Sequence, residues 1–442
     1  VRRRASRTSG SRRIAPIRRS SDVGVSATSL PRAASKSHAA SASHRIRSVN
    51  ALLVSIVATL AIQALASMAV FAPPVFAPVA APELGIEAAW AGVSTSLIYL
   101  AAILSALASG GFIARLGPIR TSQVCLVFSA VGMAAMASGF LPLVALGALL
   151  LGIGYGGLTP ASSVVLNERT PPNWRALVFS IKQTGVPIGG ALAGVLVPPM
   201  MVSIGWRGAA LAIGAGCLVL VALVQPVRAD TDRERNRNAR LGRIRLREPM
   251  RLVWSVRELR EMALASFTYS GMQMCLGSYL VVCLHEVADA SVSAAGAALS
   301  TAMAGAVVGR IGWGIVADRF VAPRTMLGLL GVGMSVAAFA MPLVGAQWPW
   351  LAILALSLVF GATAVGWNGV YLSQVALVAP PGRAADATGA SLAMTYLGVF
   401  TMPLLIWGVV QLGFGYGWGF VLVGLCSLWR ASYFFRGERR TL

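Results

Sequence analysis

Two basic side chains, Lys182 and Arg310, stand inside long apolar runs of the sequence. Lys182 follows Arg175 by seven positions, and Arg310 precedes Arg319 by nine. On a helix rising 1.5 Å per residue, they lie about 10 Å and about 13 Å from the polar ends of their segments. A charge at such depth in hydrocarbon costs about 2.5–3.5 kcal/mol on insertion scales and usually faces a water-filled cavity or a partner. None of the fifteen Asp and Glu residues falls mid-run, so no buried carboxylate is on offer to either cation. The chemistry this suggests is capture of an anion, with Arg presenting a planar fork to a carboxylate and Lys a point charge. A plainer reading stays open, in which Lys182 snorkels to the polar face and Arg310 bonds helix carbonyls or Asp318.

Other polar groups within apolar runs extend the candidate set. Gln183 adjoins Lys182, and Gln63 lies in the first run. Tyr269 and Gln273 are four apart in the seventh, and Trp367, Asn368, Tyr371 and Gln374 cluster in the tenth. Positions three and four apart share a helix face. Gln183, Gln63, Tyr269, Gln273, Asn368 and Tyr371 are therefore expected to contact a solute beside the two cations, with Tyr99, Tyr155 and Tyr396 as further candidates. Each alone serves equally well as a packing or interhelical hydrogen-bonding residue. Metal chemistry is not expected. The five cysteines lie singly within apolar runs, and two of the three histidines, His38 and His44, are in the N-terminal tail. No nucleophile–base pair suggests an enzyme, and no phosphate-binding Gly-rich loop suggests ATP as a driving force or any other cofactor.

The elements that must position these groups are membrane helices. The 442 residues are 56% hydrophobic and 12% charged, with a mean hydropathy of +0.72. About twenty apolar residues cross the roughly 30 Å hydrocarbon core as a helix. Twelve such runs occur, near 49–71, 87–110, 120–140, 142–166, 174–200, 207–226, 260–285, 293–316, 324–344, 349–376, 385–410 and 414–435.

The net charge of +22 is not a nucleic-acid signature, because of where it sits. Of 37 Lys and Arg, 34 lie in the termini and in every second loop, while the alternate loops carry Glu83, Glu286 and Asp289. Such an excess marks the cytoplasmic face. Both termini are expected inside, with the lipid bilayer rather than nucleic acid as the charged partner. Residues 1–48 are Arg- and Ser-rich and lack an apolar period, so they are expected to be a disordered basic tail. A transit peptide and an upstream start codon remain alternatives for this stretch. Six-run bundles are expected at 49–227 and 259–436, joined by a cytoplasmic linker at 228–258. The latter part of that linker mixes apolar and basic residues like an interfacial helix. A short tail, 437–442, follows.

The two halves repeat. Gly110-Gly-Phe-Ile-Ala114-Arg115 and Gly314-Ile-Val-Ala-Asp318-Arg319 stand 204 positions apart. Gly157 through Pro171-Pro172 and Gly366 through Pro380-Pro381 correspond as well. Repeats in a membrane protein suggest a transporter whose site lies between them. The motif copies resemble the loop signature of the major facilitator superfamily, Gly-x-x-x-Asp-Arg-x-Gly-Arg, over roughly residues 50–436. Thr184-Gly185-Val-Pro187-Ile-Gly189-Gly190 is similar, in part, to the antiporter signature of the same superfamily.

That resemblance implies an all-α membrane protein with twelve transmembrane helices in two pseudo-symmetric six-helix bundles, the major facilitator fold. It implies a secondary transporter working by alternating access, not an enzyme. It also makes the fifth and eighth helices neighbours across the two halves, which brings Lys182 towards Arg310. Gly110, Arg115, Gly314, Asp318 and Arg319 would form a conformational latch, asymmetric here because Ala114 replaces the first aspartate. Gly185, Pro187, Gly189 and Gly190 would kink and pack the fifth helix. The solute is expected to be a small carboxylate-like anion, with proton or counter-solute coupling open and the inner (plasma) membrane of a bacterium as the location. A drug or cation/proton antiporter of the same superfamily is the alternative. A membrane-embedded sensor is the alternative of another class.

Overall fold

The computed structural model describes residues 32–171, 174–233, 235–236, 238, 247–380 and 384–435, the side chains of 32–49, 175–177, 247, 249, 318, 376, 384–386 and 389 excepted. It divides into Val1–Val49 and Asn50–Leu442. The first 31 residues of the expected disordered tail fall outside the described residues. Its remainder, from Arg32, has helical backbone. Everything below concerns the second unit.

Hydrocarbon offers no hydrogen-bond partner to a peptide group, so a spanning chain must satisfy its backbone internally. The described residues do so with helices alone. They run as α1 (Arg32–Glu83), α2 (Ala91–Leu116), α3 (Pro118–Ala137), α4 (Leu141–Gly156), α5 (Leu158–Arg169), α6 (Arg175–Gln183), α7 (Gly185–Leu223), α8 (Gln225–Thr231), α9 (Arg247–Ser255), α10 (Arg257–Val287), α11 (Val292–Arg319), α12 (Pro323–Ala340), α13 (Trp350–Ala364), α14 (Asn368–Val378), α15 (Ala384–Gln411) and α16 (Tyr416–Phe435). Among them, eleven stretches are long and apolar enough to cross a membrane. One of these, Val178–Leu223, holds two crossings, because Gly205 inside it adopts φ 70°, ψ 167°. That left-handed φ reverses the chain where a Cβ would be strained. Twelve crossings result.

Three spans are broken in mid-membrane, and each break has a local cause. The fourth divides at Gly157 into α4 and α5, and its counterpart, the tenth, divides at Val365–Trp367 into α13 and α14. The fifth divides at Thr184 into α6 and α7. Pro187 has no N–H to give to the carbonyl of Gln183 four positions back, so α7 restarts with Ile188 N–H on Thr184 O at 3.0 Å. Irregular backbone at this depth is tolerated where it lines a cavity or is buried in protein.

The two bundles meet along α2 with α15 and along α7 with α11. Near the cation-poor loops the contact is close. Gly194 and Gly296 press backbone on backbone, and a Cβ on either would run into the other's carbonyl oxygen. Ser300 Oγ donates to Ala191 O at 2.9 Å, Ser96 Oγ to Phe400 O at 2.7 Å, and Ser278 Oγ to Thr95 Oγ1 at 2.9 Å. The Tyr279 hydroxyl lies 3.3 Å from Ala89 O and 2.8 Å from Pro403 O, on opposite halves. Toward the arginine-rich loops, a Cβ on Gly110, Gly312 or Gly314 would meet nothing within 4 Å. The close contacts between the halves named here lie toward the cation-poor face.

Each half is tied within itself at the arginine-rich face. Asp232, just past α8, accepts from the backbone N–H groups of Ile119 (3.0 Å) and Arg120 (2.9 Å), capping α3. Arg169 at the end of α5 pairs with Asp230 at 3.0 Å and donates to Ser55 Oγ at 3.0 Å. In the second half Arg430 pairs with Glu261 at 3.0 Å, and Arg324 lies over the Tyr433 ring. Within the linker, α9 buries Leu252 and Val253 and leaves Trp254 exposed.

Candidate functional site

Lys182 occupies the last turn of α6, just before the break that Pro187 imposes. Its side chain is 2% exposed. The ammonium donates to Thr159 Oγ1 at 3.3 Å and to Gln183 Oε1 at 3.2 Å, both neutral acceptors at the long end of the hydrogen-bond range. Thr159, in the first turn of α5 after the Gly157 break, donates in turn to Gln63 Oε1 at 3.4 Å. Gln63 Nε2 donates to Ser67 Oγ at 3.3 Å. A polar thread thus runs from α6 through α5 to α1, and no ion pair to Lys182 occurs among the described residues.

Arg310 enters from α11 in the other half. Its Nη1 donates to Gln183 O at 2.6 Å, the very carbonyl that Pro187 leaves without its helical partner. Its Nε donates to Val365 O at 3.2 Å, at the break between α13 and α14. Both acceptors are C-terminal helix ends, where the backbone dipole favours a cation. Lys182 and Arg310 therefore meet around Gln183, one on its side chain and one on its carbonyl, near enough to repel each other. Arg310 is thus on helix carbonyls, as the plainer expectation had it, but across the halves rather than on its own helix. Of five guanidinium donors, two are engaged with described residues.

Aromatic rings adjoin this centre. Tyr155, at the end of α4, meets the side chains of Ser67, Tyr99 and Gln63 and lies within electrostatic reach of Arg310. Tyr99 on α2 stands edge-on to Tyr155 with centroids 5.8 Å apart, and Tyr396 on α15 lies 6.5 Å from Tyr99. Trp313 Nε1 donates to Ala362 O at 2.7 Å, covering another carbonyl freed by the α13 break. Trp313 was not among the sequence candidates. Its position between Gly312 and Gly314, directly before the repeated motif, is the signal that could have singled it out.

The remaining sequence candidates are not drawn into this group. Gln273 and Asn368 form their own pair at 3.3 Å within the second half. Tyr269 is fully buried, its hydroxyl donating to Leu327 O on α12 at 3.0 Å. Tyr371 is 2% exposed and packs with Trp367, centroids 5.1 Å apart. These two tyrosines are held inside the second bundle because helical spacing allows either face, and the fold turned theirs toward the core. In the fifth span, Gly185 and Gly189 lie against Gln63, Ala64 and Ser67 of α1, Gly190 faces Met303 of α11, and Pro187 is buried.

Among the motif residues, Gly110 and Gly314 face open space, not the close approach expected of a closed latch, and Arg115 and Arg319 are exposed. The Asp318 side chain lies outside the described residues. On the first half, where Ala114 stands in the aspartate's place, the same loop is held by Asp232, and Asn236 N–H bonds Ala114 O at 2.9 Å. Burial pushes the Asp232 carboxyl above the usual carboxylate range, against the pull of the Ile119 and Arg120 N–H groups.

Known proteins share this architecture. The structure of a bacterial homolog of the human lysosomal transporter Spinster, in an inward-facing and occupied conformation, matches with TM-score 0.63 at 16% identity over 89% of this chain and 97% of that one. The nucleoside transporter NupG matches with TM-score 0.68 at 14% identity, covering 87% and 99%. A D-xylose–proton symporter matches with TM-score 0.64 at 17% identity, covering 87% and 97%. In sequence, the hexuronate transporter of Bacillus subtilis (strain 168) is 33% identical over 104 residues, 24% of each chain. The 4-hydroxybenzoate transporter PcaK of Acinetobacter baylyi (strain ATCC 33305 / BD413 / ADP1) is 29% identical over 149 residues, 34% of this chain and 33% of that one. The matched stretches thus span a third or less of these relatives' lengths. The profile of the Major Facilitator Superfamily covers residues 59–403, and with twelve crossings in two repeated halves this chain belongs to that family of membrane transporters.

Proposed function

We propose that this protein is a secondary active transporter that carries a small carboxylate-like anion by alternating access, with Lys182 and Arg310 as its anion-binding groups. The observation that carries this reading is the meeting of a buried and a half-buried cation from opposite halves around Gln183, with no carboxylate bonded to either among the described residues. An uncompensated charge pair in a low-dielectric centre is relieved by an anion, and relieved more there than in water. Three guanidinium donors without a partner among the described residues, and an ammonium held only by long bonds to neutral oxygens, can turn to it. The two sequence relatives are named for carboxylate solutes, which supports the same class. A cationic solute or a proton-exchanging drug antiporter fits less well, because its usual mid-membrane Asp or Glu has no counterpart among the described residues.

The excess of cations in the termini and alternate loops supports an inner (plasma) membrane location with both termini cytoplasmic. On that orientation the close contacts of Gly194, Gly296 and Tyr279 lie toward the outer face. The test is uptake by protein reconstituted in liposomes, with small carboxylates beside cationic dyes. Lys182→Ala and Arg310→Ala should each abolish carboxylate uptake while the protein still inserts. Unchanged transport in both variants rejects the site.

A further inference from the structure

Resting on the anion reading above, we infer that the solute is an aromatic monocarboxylate whose ring is held by Tyr99, Tyr155 and Tyr396. These tyrosines come from α2, α4 and α15, so a ring placed among them touches both halves of the protein. Tyr155 and Tyr99 stand at 70° with centroids 5.8 Å apart, and Tyr99 and Tyr396 at 38° with centroids 6.5 Å apart. Edge-on and offset arrangements at this spacing are the ones aromatic quadrupoles favour, and a further planar ring extends them. The cluster is joined to the charge site. Tyr155 shares Gln63 and Ser67 with the thread that ends on Thr159 and Lys182, and it lies within electrostatic reach of Arg310.

The polar groups nearby argue against a hydroxyl-rich acid. Gln63 is bonded to Ser67 and Thr159, and the Gln183 amide oxygen is occupied by Lys182. A sugar acid would bring several hydroxyls, each needing a partner once stripped of water. A short aliphatic acid would satisfy the cations and leave the tyrosine faces unused. An aromatic acid needs one anionic site and aromatic surface beside it, and the cations and the tyrosine rings offer these. Its carboxylate takes Arg310 from Gln183 O, while its ring lies against the tyrosines.

Competition binding on the purified full-length protein in nanodiscs tests this, with benzoate, acetate, glucuronate and a cationic dye as probes. Benzoate should bind at least about tenfold more tightly than acetate or glucuronate. Tyr396→Leu should lose about tenfold for benzoate and nothing for acetate, while Tyr396→Phe, which keeps the ring, retains benzoate binding. Equal affinity for acetate and benzoate, or tighter glucuronate, overturns the aromatic assignment and leaves the anion site standing. A loss in Tyr396→Phe as large as in Tyr396→Leu overturns the stacking role. Binding of the dye with no carboxylate bound overturns both readings.

Discussion

Replacing each of the two central cations by methionine should separate a binding group from a structural one. Lys182 is 2% exposed and bonded to two neutral oxygens at 3.2 and 3.3 Å. Lys182→Met keeps the length of the stem and removes a charge whose place in the membrane costs about 3 kcal/mol. It gives up two long charge-assisted hydrogen bonds of about 1.5 kcal/mol each, and Thr159 still has Gln63 as a partner. The relief and the loss therefore nearly cancel, and the ligand-free protein should keep its stability. Arg310→Met is a different perturbation, because it strips the buried carbonyls of Gln183 and Val365. Two lost charge-assisted bonds at about 2–3 kcal/mol each outweigh the same relief of about 3 kcal/mol. A net loss of about 2 kcal/mol follows. For the anion, deleting either partner of a desolvated charge pair costs about 2–5 kcal/mol, at least about thirtyfold in affinity. Thermal unfolding of the ligand-free variants in nanodiscs should stay level for Lys182→Met and fall for Arg310→Met, and liposome uptake should fail in both. A lowered midpoint in Lys182→Met with transport intact would refute the reasoning, since it would make Lys182 a structural residue.

Other perturbations probe the moving parts. Gly296→Val places its side chain where the Gly194 carbonyl oxygen already stands, so the contacts toward the cation-poor face should part. Cysteine labelling at that face should rise in the variant. Gly314→Leu meets nothing within 4 Å in this conformation, so the protein should fold with an unchanged midpoint while transport falls at least about tenfold, because the opposite conformation must bring that face together. Normal uptake would show that the motif face never closes. Asp232→Asn should loosen the α3 cap by about 1 kcal/mol, read as faster amide exchange at Ile119 and Arg120. Because burial raises the Asp232 carboxyl above its unfolded value, the folded protein takes up that proton first. This group's contribution to stability should then grow as the pH falls toward about 4, and the slope should vanish in Asp232→Asn.

Much of the architecture was legible in the residues alone. Runs of about twenty apolar residues admit only helices in lipid, and the alternation of arginine-rich with cation-poor loops orders them. The break before Pro187 was equally readable, since a residue without an N–H must orphan the carbonyl four positions earlier. Lys182 and Arg310 stood out because buried charge is costly wherever the chain goes.

Which group would satisfy the orphaned Gln183 carbonyl was decided by tertiary structure, because Arg310 is 127 positions away and reaches it only when α7 packs on α11. Tyr269 and Tyr371 turned into the second bundle, while Tyr99, Tyr155 and Tyr396 converged from three helices, a choice that depends on helix rotation to which periodicity is blind. The substitute for the missing first-half aspartate came from Asp232, beyond α8, where no motif spacing points. Composition and local chemistry thus determine that the chain spans a membrane, where its helices fail and where its charges are trapped. Which of those failures and charges meet is a matter of packing between segments distant in sequence, and only the folded chain decides it.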